Sequence, residues 1–579
     1  MPCGIIMRTK EFKGLKKTRK IRNDNCPYLC IRFREKIKKK KMKNSKSILK
    51  KASYVGFLLF VLATVSCSKD DPATDETVPP VVVVPPVVTP PFDGPKYADN
   101  YTSIASWSSR SQWNLANVHD PSVEKSGEYY YMYQTDASYG NAHDGHGHFP
   151  YRRSKDLITW EFMGTAMAQA PAWIKDSLNN KRARMVPALP PIANPRYGYW
   201  APFVKKVGNK YRMYYSIVVD EPITGTSFDT SWSERAFIGL AESDDLASNV
   251  WVDKGMVVCS EPDGIKPYSY TGARNWEDAY FKFNAIDPTF TITPEGEHYL
   301  IYGSWHSGIA ALKLNPTTGK PDQLKTLSDY GTRIASRHPT SRWQASEGPE
   351  IIYNPDTQYY YLFLAYDELS VAYNTRVARS RSITGPFLGI NGANITNGAD
   401  CWPMLTHPYS FNNHTGWVGF SHCSVFQNPD TKKWFYASQA RLPEGVPGIN
   451  ASNAVMMGHV RAIQWTEDGW PVVDAERYAG VPKTTITEAS FVGQWEQITM
   501  NYQYKTIQKS VTINLTADKK VSGALTGTWS YDGVNKTLIV NGIKCKVSDA
   551  WDWEASTRKV TLSYSGLTAD GRPVWGKKK

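Results

Sequence analysis

Five stretches of this chain repeat one pattern at long range, and that repetition restricts the possible folds more than any single motif. They read "HDPSVE" from 119, "YWAPFV" from 199, "AIDPTF" from 285, "SEGPEII" from 346 and "SHCSVF" from 421. Each is followed by a turn and an aromatic strand: "GEYYYMYQT", "GNKYRMYYS", "GEHYLIYGS", "DTQYYYLFLA" and "DTKKWFYAS". A third strand follows, in "YRRSKDLITW", "FIGLAESDDL", "GIAALKLNP", "TRVARSRSI" and "GHVRAIQWT". Period-two alternation with β-branched and aromatic enrichment makes these strands, and helical periodicity is nearly absent. Antiparallel units recurring about every 60–85 residues predict a β-propeller, and five openers predict five blades. The first strand of each blade lines the central channel, so the opener residues converge on one axis.

The repeat spans residues 98–485. Beyond it, "GQWEQITMNYQYKTIQKSVTINL", "GTWSYDGVNKTLIVNG" and "KVTLSYSGLTADGRPVWGKK" predict a separate small β domain over 486–579, with hairpin turns at "DG", "NG" and "ADG". The expected fold class is therefore all-β: a five-bladed β-propeller followed by a small C-terminal β-barrel-like domain. Trp529, Trp551, Trp553 and Trp575 cluster in that second domain, where they either stack on sugars or pack a small barrel core.

The net charge of +14 suggests a nucleic-acid binder until it is located. Residues 1–41 carry 15 Lys and Arg against three acidic residues, residues 42–66 add four lysines, and the remainder is close to neutral at −2. No basic footprint is left on the body of the protein. From Met42 the chain reads "MKNSKSILKKASYVGFLLFVLATVSCSKDD", a lysine-rich start, an apolar run and small residues before a cysteine. That is the layout of an export signal, too short for a membrane span. Residues 42–66 are expected to be a signal peptide, Met42 the true start and 1–41 an over-extended reading frame. The "TVSC" ending resembles a bacterial lipoprotein cleavage box with Cys67 as the lipidated residue, and ordinary signal cleavage is the alternative. Residues 67–97 are rich in Pro and Val and form an extended spacer of roughly 3.1 Å per residue. Cys259, Cys401, Cys423 and Cys545 are widely scattered without a CxxC pair, so stability is expected from core burial, not disulfides.

At the axis the openers contribute Asp120, the neutral "WAP" turn, Asp287, Glu347 and His422. Carboxylates gathered in a cleft raise one another's pKa values, which separates an acid from a base. Two such groups flanking a glycosidic bond are the minimum equipment for its hydrolysis. Ordered "HDPS", "AIDP" and "EGP" openers, with "YWAPFVKKVGNKYRMYYS" and "NAIDPTF…YLIYGSWHSGI", resemble glycoside hydrolase family 43 over about residues 110–475. Within it the endo-1,5-α-L-arabinanases match best, and the stretch from 490 resembles the C-terminal domain of some extracellular members. The resemblance implies Asp120 as general base, Glu347 as general acid and Asp287 as the residue that raises and orients that acid. It also implies inversion, with base and acid roughly 6.5–9.5 Å apart.

The same resemblance implies sugar contacts from Asn284, Ser304 and Trp305, and Trp200 offers a further aromatic face, with blade packing as its alternative. It implies calcium beside His422, although calcium prefers oxygen ligands and a buried core histidine is the rival reading. Glu350 lies three residues past Glu347, so strand alternation assigns it to the opposite face and to structure. "HDGHGHFPY" at 143–151 is read as a loop at the channel mouth, not a metal site. The expected substrate is arabinan or a pectic side chain, with no nucleic-acid partner, membrane contact only through Cys67, and a monomeric, exported protein that is a cell-surface, outer-membrane or periplasmic lipoprotein or is secreted. Exo-arabinanase, α-L-arabinofuranosidase or β-xylosidase activity, or a non-catalytic glycan-binding lipoprotein, are the alternatives. The insert at 220–284 is expected to wall or close the groove.

Overall fold

The computed structural model describes residues 92–136, 145–184, 188–219, 236–261, 281–337, 345–411, 413–447 and 456–579. Met42, Cys67 and most of the Pro/Val spacer lie outside these residues, as do most of the 220–284 insert and His143 and Asp144 of the histidine-rich loop.

Five four-stranded antiparallel sheets make the propeller. Their inner strands are Ser122–Ser126, Tyr197–Val207, Thr289–Ile292, Ser346–Asn354 and Val418–Gln427. Each of these lies beside the inner strands of both neighbouring blades, so the five close a ring. The chain before blade 1 adds to this closure: Ala116 bridges to Met457 of blade 5, and the Gly458 N–H donates to the Leu115 carbonyl.

One backbone device recurs at the top of every inner strand. Asp120, Ala201, Asp287, Gly348 and His422 all have positive φ, between 41° and 55°. In four of the five the next residue is proline, and in the fifth it is Cys423. Where both flanks pair, the strand register shifts across this dipeptide, between Trp200 and Phe203, Glu347 and Glu350, and Ser421 and Ser424. A bulge of this kind tolerates proline's missing N–H and re-aims a side chain.

Two positions further on, side chains tie blade to blade. Ser122 Oγ accepts from the Val204 N–H at 3.0 Å, Ser424 Oγ from Val123 at 3.1 Å, and Glu350 Oε1 from Val425 at 3.2 Å. The Thr289 hydroxyl donates to Glu350 Oε2 at 2.9 Å. Glu350 is thus an inter-blade tie. Simple alternation does not describe its orientation, because the Gly348–Pro349 bulge interrupts the strand between it and Glu347.

Past the propeller, eight strands from Gly493–Thr499 to Pro573–Lys578 form a closed barrel. Its core holds Trp495, Trp529, Leu538 and Tyr564. All four tryptophans singled out in the sequence are buried: Trp529 packs in that core, Trp575 in the main propeller core, and Trp551 with Trp553 in a smaller cluster. The end of the spacer packs there too, with Phe92 edge-on to Trp551 and Tyr97 against Trp553.

Barrel and propeller belong to one compact unit. Lys577, in the last barrel strand, joins them: its ammonium lies 2.7 Å from Asp552, 2.8 Å from Glu554 and 2.7 Å from Glu476 of the propeller's end, all four residues buried. Cys259, Cys401, Cys423 and Cys545 are buried free thiols.

Candidate active site

Five blades meet around the bulge residues. Asp120 Oδ1 lies 2.9 Å from His422 Nδ1, and its Oδ2 accepts from the Thr135 hydroxyl at 2.5 Å. Thr135 is itself fixed, accepting from the Ala201 N–H at 2.7 Å, and the Asp120 N–H donates to Gln439 Oε1 at 2.7 Å. Asp287 Oδ2 accepts from the Gly348 N–H at 3.1 Å. A Cβ placed on Gly348 would stand 2.9 Å from the His422 ring, so only glycine leaves room for the imidazole.

The left-handed position in blade 4 is therefore Gly348, and Glu347 enters the site from the residue before it. Three donors hold that carboxyl: the Ser304 hydroxyl at 2.9 Å and the Trp305 indole N–H at 2.8 Å on Oε2, and the Tyr373 hydroxyl at 2.7 Å on Oε1. Ser304 and Trp305 are thus turned onto Glu347, both nearly closed to solvent. Asn284 is fully buried, with its side-chain oxygen accepting from Ser260 at 2.9 Å, and is not open to a substrate here. Trp200 is half-buried against Val218, Ala236 and Ile286.

The electrostatics divide the three carboxyls. Burial works against ionising Asp120, but the charge and hydrogen bond of His422 win, and Asp120 is held down to about 2. Asp287 is pushed up to about 7, chiefly by burial and then by the negative charges of Glu347 and Asp120, against the opposing pull of His422. Glu347 is also held above its ordinary value, again mainly by burial, despite its three donors. The surrounding carboxylates outweigh burial at His422 and lift it to about 9. Asp120 is thus ionised, while a proton is retained within the Asp287–Glu347 pair in the acidic range.

His422 is the nitrogen that the family resemblance sets beside an axial cation. Its Nδ1 faces the Asp120 carboxylate, so a cation would bind at Nε2 by displacing the proton that the neighbouring carboxylates favour there. This fits a cation carried largely by water, since calcium takes roughly six to eight oxygen ligands. Among the described residues the acids that lie close enough together to hold an ion are Glu476, Asp552 and Glu554, and Lys577 already occupies their centre. The histidine-rich stretch is loop only in part: His146 stacks on Trp107, while His148 begins the strand His148–Ser154 and pairs with Asp136 at 2.8 Å, because 148–154 pairs on both sides within blade 1.

Thr135, Gln439 and Tyr373 carry no sequence signal that marks them. Thr135 and Tyr373 reach Asp120 and Glu347 from a later segment of the same blade, and Gln439 reaches Asp120 from blade 5 through the closure of the ring.

The family model for glycosyl hydrolases family 43 matches residues 115–471, and that for a C-terminal lipocalin-like domain matches residues 475–576. The chain belongs to glycosyl hydrolases family 43. It is 29% identical over 497 residues to an extracellular endo-α-(1→5)-L-arabinanase of Thermotoga petrophila, covering 80% of this chain and 93% of the relative. An extracellular endo-α-(1→5)-L-arabinanase 2 of Bacillus subtilis is 26% identical, over 80% of this chain and 93% of its own. The crystal structure of the Thermotoga petrophila RKU-1 endo-1,5-α-L-arabinanase superposes with a TM-score of 0.62 at 27% identity, covering 81% of this chain and 99% of that one. This family 43 chain is a glycosidase, and its predicted all-β architecture of propeller plus barrel is what the structure has.

Proposed function

We propose that this glycoside hydrolase cuts internal α-1,5-L-arabinofuranosidic links of arabinan with inversion. Asp120 is the general base that takes a proton from the attacking water. Glu347 is the general acid that protonates the departing sugar oxygen. Asp287 raises the acid and, through the Gly348 amide, orients its loop. The observation that carries this reading is the opposite treatment of the carboxyls: Asp120 is held ionised by His422 and Thr135, while burial keeps a proton with Asp287 and Glu347. An inverting hydrolase needs that division. The substrate class rests on relatives named as endo-arabinanases that align over nearly their whole length.

A cation on His422 Nε2 would add fixed positive charge beside Asp120 and help keep it ionised. Export through the signal at 42–66, with Cys67 lipidated, would place the monomeric enzyme where arabinan is met.

Glu347→Gln tests the mechanism: cleavage of debranched arabinan should fall by about 10²–10⁴-fold, and a near wild-type rate would refute the acid assignment. A relative named as an exo-α-(1→5)-L-arabinofuranosidase aligns over 62% of this chain at 24% identity, so product size matters. Oligosaccharides as early products support endo action, and arabinose as the sole early product refutes it. Chelation should lower the rate and added calcium restore it; an unchanged rate after exhaustive chelation removes the cation from the reading.

A further inference from the structure

The strand bearing Glu347 begins at a strained residue. Ala345 has a φ of 46°, in the left-handed region that a non-glycine residue occupies at a cost. Its carbonyl is gripped from two sides: Arg337 Nη1 donates to it at 2.9 Å and the Asp367 N–H at 2.8 Å. Asp367 opens the 367–373 connection of blade 4, which lies at the same end as Glu347 because Ser346 pairs with Tyr366. That connection also supplies Tyr373, which bonds Glu347 directly.

The Asp367 carboxylate is buried and accepts three hydrogen bonds. Arg337 donates at 2.6 Å, Asn374 at 2.8 Å and the Tyr502 hydroxyl at 2.8 Å. Tyr502 does not belong to the propeller. It lies in the C-terminal domain, between the barrel strand Gly493–Thr499 and the short strand Gln508–Lys509, which pairs in parallel with Tyr409–Ser410. The same segment rests on the blade at other points: the Gln503 N–H reaches His407, and the Arg376 guanidinium stacks over the Tyr502 ring at 4.8 Å.

We propose that the C-terminal domain completes the catalytic site through Tyr502, a positioning residue that holds Glu347 by way of Asp367, Arg337 and the strained Ala345 carbonyl. This rests on Glu347 being the general acid. Without the Tyr502 hydroxyl, the Asp367 carboxylate loses one of its three donors, and the grip on Ala345 loosens two residues from the acid. Small displacements of a reacting group reduce rates steeply.

The test uses the full-length protein and leaving groups of different need. An arabinan alcohol leaves only with a proton from Glu347, whereas nitrophenolate leaves without one. Tyr502→Phe keeps the ring and its stacking on Arg376. It should lower kcat on linear arabinan by about 5–30-fold with KM within about twofold, while cleavage of a nitrophenyl α-1,5-arabino-oligosaccharide changes less than about twofold. Tyr504→Phe removes a neighbouring hydrogen bond, from Tyr504 to Glu368 at 2.6 Å, that does not lead to Ala345, and it should leave both rates unchanged. An unchanged kcat for Tyr502→Phe on arabinan, an equal loss on both substrates, or an equal loss in Tyr504→Phe would overturn the proposal. Should Glu347→Gln remain active, the acid assignment fails first; should it be inactive while Tyr502→Phe is normal, only the role of Tyr502 fails.

Discussion

Replacing Gly348 by alanine probes the site without touching a carboxyl. The new methyl would lie 2.9 Å from His422 Cγ and 3.0 Å from Nδ1, closer than real Cβ contacts allow. His422 cannot yield freely, because Nδ1 is paired with Asp120 at 2.9 Å. A φ of 54° adds a left-handed penalty of about 1–2 kcal/mol for alanine. The ring should therefore move off Asp120, removing the two largest causes that hold the base near 2. With burial left to act, the Asp120 pKa rises, and each unit of rise corresponds to about 1.4 kcal/mol of lost interaction. The expected result is a kcat/KM on arabinan reduced by about 10²-fold or more, with an acidic limb of the pH profile that appears at higher pH than in the wild type. Both are read from initial rates on linear arabinan between pH 3 and pH 9. A variant with wild-type kcat/KM and an unmoved acidic limb would refute the claim that the imidazole sets the state of Asp120.

Further consequences follow from the same charges. The wild-type basic limb should fall near pH 7, where the Asp287–Glu347 pair gives up the proton it shares, and activity held unchanged beyond pH 9 would contradict that origin. Because the folded-state pKa of Asp287 is raised above its unfolded value, the folded protein binds that proton more tightly, and stability is lost as pH rises from about 4 to 7. Asp287→Asn keeps an acceptor for Gly348 and removes that loss, so thermal unfolding at pH 8 should move to higher temperature while activity drops; a lower Tm at pH 8 would count against it. Lys577→Met leaves Glu476, Asp552 and Glu554 buried without the ammonium that bridges them, which should destabilise by about 3–5 kcal/mol. The loss should be smaller at pH 5 than at pH 8, and a Tm within a degree of wild type would show that the cluster does not hold barrel to propeller.

Much of the site was legible because the fold repeats. The five openers align residue for residue, and the position that carries Asp120, Ala201, Asp287, Gly348 and His422 is the same bulge used five times. In blade 4 that position is Gly348, and the carboxyl comes from Glu347, one residue before it, which still lies within the charge field of Asp120, Asp287 and His422. Strand alternation also gave the wrong reason for setting Glu350 aside. A bulge breaks the period-two rule locally, and only the coordinates show that carboxyl bonded to Thr289 and Val425.

The sequence by itself determined the blade count, the convergence of the openers and the existence of a second β domain, because hydrophobic period and repeat length are local properties of the chain. Only the tertiary structure decided which groups touch. Thr135 on Asp120, Tyr373 on Glu347, Lys577 among three acids and Tyr502 on Asp367 are pairs joined across blades, loops or domains. Their energies come from burial and from distances of a few ångströms, and neither exists until the ring closes and the barrel docks on it.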